Sequence, residues 1–104
     1  MITLCNLKNT SFKNLPTHVK VDKSSPLGNT FIMKNQSLKE RHRVCNEYYK
    51  WLHTQINVKN KTVTDELNRL YKIHKQYGEL TLYCWCVPLM CHSESIKAVL
   101  EPYI

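Results

Sequence analysis

Near the C-terminal end of the chain, three cysteines and a histidine crowd into one short stretch, Cys84-Trp85-Cys86-Val87-Pro88-Leu89-Met90-Cys91-His92. Cys84 and Cys86 are two residues apart, so on a strand both thiols project from one face. Cys91 and His92 follow a proline-containing turn, just ahead of Ser93, which is read as the cap of a helix. A helix start offers unpaired amides and a positive dipole end, which favour anions and lower the pKa of a nearby thiol. Three chemistries fit. Cys84, Cys86, Cys91 and His92 are a legitimate zinc ligand set, although Cys-x-Cys followed by adjacent Cys-His is an awkward spacing for one tetrahedral ion. Cys91 or Cys84 activated by His92 would be a nucleophile, but neighbours in sequence rarely point at each other, so Cys91 and His92 are not themselves a dyad. The third chemistry is binding: amides and Ser93 at the helix start hold a phosphate, while His92 and Trp85 hold a base or ribose. Against all three stands a structural reading, in which Cys84 and Cys86 are small buried apolar side chains. Binding is the favoured reading, because it uses both the turn and the helix start.

A second candidate is the loop Ser25-Pro26-Leu27-Gly28-Asn29. As a tight turn it would place Gly28 at positive φ and let Asn29 tie back to the backbone. In a functional role Ser25, Gly28 and Asn29 present hydroxyl, amide and carboxamide to a polar ligand, provided the loop lies beside the cysteine segment. Elsewhere the simpler readings prevail. His74 falls on the apolar face of a helix and is expected as a hydrogen-bonded core residue. Lys39, Arg41, His42 and Arg43 form a solvated basic cluster able to steer an anion. Tyr49 and Trp51 are expected to pack.

The elements that must position these residues follow from periodicity. Ile2–Cys5 and Thr17–Asp22 alternate and read as short strands. Ser37 with Glu40 has capping-box spacing, and the helix it opens places Cys45, Tyr48, Leu52 and Ile56 on one face. A second start at Thr62 precedes Val63, Leu67, Leu70, Tyr71, His74 and Tyr77 on one face, with Gly78 as the stop. Leu80–Cys86 alternates with bulky or apolar residues on both sides, as a strand covered on two faces does. Ile96, Val99, Leu100 and Tyr103 are expected inward on a last helix. Helices between strands favour a small layered α/β fold, a partly parallel sheet of about three strands with three helices, in which ligands gather beyond the carboxyl ends of the strands.

Composition sets the outer bounds. The 104 residues suffice for one domain spanning 1–104, and 42% hydrophobic with 22% charged residues is ordinary for a folded protein. No apolar run is long enough to span a bilayer, and no signal peptide opens the chain, so a soluble cytoplasmic protein without a membrane partner is expected. Five cysteines, an odd number and clustered, suit a reducing compartment better than a disulfide framework. The formal charge of +7 points to an anionic partner, a nucleotide before a nucleic acid, because the lysines are scattered rather than striped.

Both motifs also carry a resemblance. Asn6-Leu7, the Ser25-Pro26-Leu27-Gly28-Asn29-x-Phe31 loop, Tyr48 to Leu52, and above all Leu82-Tyr83-Cys84-Trp85-Cys86-Val87-Pro88 followed by Cys91-His92 resemble the phage and bacterial family called domain of unknown function 4326. Thr30 stands where the family usually has proline, and Asp22-Lys23 where it tends to have Gly-Arg, so an anion-binding arginine has no counterpart there. The resemblance implies a small Rossmann-like domain whose two motifs meet at one site, a phage origin with the host cytosol as location, and an accessory or counter-defence role. Together these readings set the expectation of a module that binds, and holds out of circulation, a nucleotide or nucleotide-derived signal between Ser25–Asn29 and Cys84–Ser93, with a homo-oligomer as one form. Two alternatives stay open: an enzyme acting on a nucleotide or nucleoside through Cys91 or His92, and a zinc-stabilised nucleic-acid or protein interaction module.

Overall fold

A computed structural model describes residues 2–8, 11–22, 24–31, 34–35, 37–85 and 92–104. The elements are β1 (Ile2–Asn6), β2 (His18–Lys20), α1 (Leu38–Asn57), α2 (Lys61–Tyr77), β3 (Leu80–Cys84) and α3 (His92–Leu100), closed by a 3-10 turn over Glu101–Tyr103. The strands form one sheet in the order β1-β3-β2, and both described pairings are parallel. This is the small α/β architecture that the helix–strand order predicts. No helix among the described residues is long and apolar enough to cross a membrane.

Side-chain alternation on the middle strand divides the molecule. Leu80, Leu82 and Cys84 are fully buried, and the register sets Ile2 beside Leu80, and Leu4 and Val19 beside Leu82. These residues face one layer of helices: Tyr48 and Leu52 from α1, Val63, Leu67 and Leu70 from α2, Ile96 and Leu100 from α3. The opposite face carries Cys5, Tyr83 and Lys20 in one register row. There the connection between β1 and β2 crosses the sheet, and Phe12 meets Tyr83 edge-on at 5.1 Å between ring centroids. Backbone bonds from Leu7 to Cys84 (2.7 Å) and from Val21 to Tyr83 (2.9 Å) carry the pairing past the strand ends.

The helix boundaries show how local rules give way to neighbours. Ser37 caps α1 as expected, its Oγ accepting from the Glu40 amide at 3.2 Å. Glu40, however, turns its carboxylate to the Lys34 amide (3.1 Å) and the Arg43 guanidinium (2.7 Å), so the reciprocal half of the capping box goes to other donors. Arg43 first and that amide second hold the Glu40 carboxyl down at about 2. α2 begins at Lys61 with Asn60 as cap rather than at Thr62, because the Asn60 carboxamide accepts from the Val63 amide. Ser93 lies inside α3 as its second residue and is buried, so it is not the cap foreseen for that helix. Tyr77, the last residue of α2, and Tyr103, in the 3-10 turn after α3, are 48% and 72% exposed rather than inward as expected.

Gly78 ends α2 in the left-handed region at φ 77°, its N–H donating to the His74 carbonyl at 2.7 Å. A Cβ there would meet no atom within 4 Å, so substitution strains only the backbone. Gly78→Ala is expected to lower stability by about 1 kcal/mol in urea unfolding, with no change in the slope of the transition.

Candidate functional site

β2 and β3 are neighbours in a parallel sheet, so the loops leaving their carboxyl ends open at the same edge. His92, the first residue of α3, reaches across that edge and bonds through Nε2 to the Val21 carbonyl at 2.5 Å. A carbonyl only accepts, so Nε2 carries the proton. The imidazole also meets the Tyr48 ring edge-on at 5.0 Å, and the Tyr48 hydroxyl donates to the Leu27 carbonyl at 2.6 Å. Three segments distant in sequence are thereby fastened together: the start of α3, the middle of α1 and the loop after β2. Burial pushes the His92 pKa below its ordinary value, opposed by the Val21 bond and the charge of Asp22. Burial likewise pushes the Tyr48 phenol well up.

The Ser25–Asn29 loop is built on these anchors. The Ser25 carbonyl accepts from the Gly28 amide at 2.9 Å, closing a turn with Pro26 second and Gly28 fourth, the positions those residues favour in a type I turn. Gly28 does not use the positive φ expected of it; among the described glycines that conformation belongs to Gly78. Leu27 is fully buried and pins the loop to the core. Ser25 Oγ accepts from the Leu27 amide (3.1 Å) and Asn29 Oδ1 from the Phe31 amide (2.9 Å), so both polar side chains brace the loop from within.

Alternation splits the cysteine segment. Cys84 points into the core, with its Sγ 3.5 Å from the Ser93 Oγ, and both residues are inaccessible. Trp85 is 62% exposed, and its indole N–H interacts with the Asp22 carboxylate. The Ser24 hydroxyl, more than any other group, holds the Asp22 carboxyl below its usual range; the Ser24 amide, Trp85 and Lys20 add to the effect, and burial opposes it. Cys86 and Cys91 lie outside the described residues. Of the four candidate zinc ligands, the two described ones, Cys84 and His92, point at Ser93 and Val21, and no group of three or more metal-binding side chains occurs among the described residues. A cleft of about 630 Å³ opens elsewhere, between α1, α2 and the end of α3; His53, Leu67, Tyr71 and Val99 are among its mostly apolar lining, and it shares no residue with either loop.

A family model described as domain of unknown function DUF4326 matches residues 5–102, nearly the whole chain. The protein belongs to this family. No curated protein and no solved structure matches the chain. The matched span of this DUF4326 domain covers β1 from Cys5 onward, both loops and all three helices, so the fastening through His92, Tyr48 and Leu27 lies within it.

The residues that sequence reasoning passed over sit around Trp85. Asp22 touches it, Lys20 adds its charge, and beside them Tyr83 bonds through its hydroxyl to His18 Nδ1 at 2.6 Å. The available signal was parity: Thr81, Tyr83 and Trp85 alternate with the core-facing residues, as do His18, Lys20 and Asp22 with Val19 and Val21.

Two outcomes follow for the DUF4326 domain. Tyr48→Phe removes the donor to a buried carbonyl and is expected to cost about 1–3 kcal/mol in chemical unfolding. For His92 the effect depends on pH. Above about pH 6.5 neither the native nor the unfolded ring is protonated; below it the unfolded chain takes up a proton that buried His92 resists. Stability should therefore fall as pH drops from 7 toward the depressed native value. His92→Gln, which retains an N–H donor, should show a shallower fall over the same window in melting temperature.

Proposed function

We propose that this chain is a nucleotide-binding module whose site lies at the carboxyl ends of β2 and β3, with Trp85 as the surface on which a base stacks. The observation that carries this reading is the exposure of a large aromatic ring beside a carboxylate, at the edge where two parallel strands release their loops. Trp85 is 62% exposed, so a partner that covers the indole gains the kilocalories that its burial is worth. Stacking on tryptophan suits every base, and an adjacent carboxylate accepts a base N–H or a ribose hydroxyl. The net charge of +7 adds attraction for the phosphate. The Ser25–Asn29 loop leaves the same edge and would line a small site of Rossmann-like kind.

Holding the ligand, rather than converting it, is the better reading of this geometry. His92 and Cys84, two of the side chains that nucleophilic or acid–base chemistry would draw on, are buried and engaged with Val21 and Ser93. A protein that binds a nucleotide signal without turning it over would keep it from its receptor, which suits the accessory, counter-defence role that phage members of such a family would have.

Thermal-shift screening of nucleoside mono-, di- and triphosphates and cyclic nucleotides should yield at least one ligand that raises the melting temperature. Trp85→Ala should abolish that shift while melting, unliganded, within about 0.5 kcal/mol of the parent, as an exposed side chain predicts. A panel with no hit, or a shift that survives Trp85→Ala, would overturn the proposal.

A further inference from the structure

We infer that the ligand has two bases joined by a phosphodiester, laid across the sheet face opposite the helices, with one base on Trp85 and the other on Phe12. This inference rests on the nucleotide reading of Trp85 and deepens it.

The face is organised in rows. Cys5, Tyr83 and Lys20 are register partners across the three strands, and Trp85 and Asp22 follow two residues on, just past the ends of β3 and β2. Phe12 stands on Tyr83 with an interplanar angle of 75°, and the Lys20 ammonium lies 4.7 Å from the Phe12 ring centroid. Tyr83 is itself fully enclosed, its hydroxyl bonded to His18 Nδ1 and interacting with the Lys13 amide, so it supports Phe12 from below and offers no surface of its own. Phe12 remains half-exposed. Two aromatic rings therefore share this face, and the Lys20 ammonium lies over one of them, Phe12.

Spacing and charge then select the ligand. One alternation along a parallel strand advances about 6.6 Å, roughly twice the rise between stacked bases. Two bases on this face must be splayed apart, as single-stranded bases are when they stack on separate aromatic side chains. The Asp22 carboxylate beside Trp85 repels a phosphate and suits a base N–H or hydroxyl instead. The Lys20 ammonium beside Phe12 attracts a phosphate. The phosphate is thus drawn away from Asp22 and toward Phe12, where a phosphodiester would carry a second base onto that ring.

Calorimetric titration with adenosine 5′-monophosphate and with the dinucleoside monophosphate ApA tests this. ApA carries less negative charge, so charge alone would make it the weaker ligand. The two-base site predicts that ApA binds tighter by about tenfold or more. Phe12→Leu keeps an apolar side chain over Tyr83 and should erase that advantage while leaving the monophosphate unaffected. Lys20→Gln should weaken ApA and flatten its salt dependence. Circular dichroism confirms that each variant is folded. Equal or weaker binding of ApA than of the monophosphate, or an ApA preference that persists in Phe12→Leu, overturns the two-base inference alone, provided that monophosphate binding still requires Trp85. Failure of the parent protein to bind either compound overturns both this inference and the nucleotide reading.

Discussion

Side chains on a β-strand must alternate between its two faces, and in this protein the middle strand obeys that rule with both faces covered. Leu80, Leu82 and Cys84 go to the helices; Tyr83 goes the other way and disappears beneath Phe12. Because β3 has a partner on each side, its parity also fixes that of β1 and β2 through the register. A slip of one residue would drive Tyr83 into the helical core and expose two leucines, so the register is strongly specified. Everything that could serve function inherits this division. Cys84 and Trp85 are neighbours in sequence, yet one is part of the core and the other lies on the surface.

The two sides of the sheet do different work. On the helical side, His92, Val21, Tyr48 and Leu27 fasten the start of α3 and the loop after β2 to the body of the fold. A buried hydrogen bond from an imidazole to a carbonyl contributes little net stability when made, but leaves a costly orphan when broken. Such contacts therefore fix geometry more than they add to stability, and they hold the start of α3 against the loop after β2. On the other side, aromatic and charged groups stand in register rows and hold one another: Phe12 on Tyr83, Lys20 over Phe12, Trp85 on Asp22.

Much of this was legible in the sequence, for reasons that differ by element. The apolar faces of α1 and α2 follow from local periodicity, so Tyr48, Leu52, Leu67 and Leu70 are where the spacing puts them. The resemblance carried by the two motifs agrees with the family match over residues 5–102. Local rules failed where a distant group competed. Ser93 has the residue type of a cap, but the strand brings Cys84 against it and it is drawn into the core. Gly28 looks like a positive-φ residue, yet Pro26 and buried Leu27 make the turn without one. His92 enters the candidate site by its place at a helix start, and its bond to the Val21 carbonyl, 71 positions away, has no signal in the sequence. Phe12 gave no signal, since an isolated phenylalanine in a polar stretch acquires meaning only from the strand it covers, 71 positions away at Tyr83.

The central claim is that the exposed indole at the end of the middle strand receives a base, and the chain's two tryptophans make a direct test available. Trp51 lies on α1, partly buried against the core and in ring contact with Tyr48, away from the Trp85 side of the sheet. In nitrogen–proton correlation spectra of the labelled protein, the two indole N–H resonances can be followed separately during titration with a nucleotide. The account predicts that the Trp85 signal moves progressively to saturation while that of Trp51 stays in place. A titration in which Trp85 is unmoved, or in which Trp51 responds instead, would contradict it.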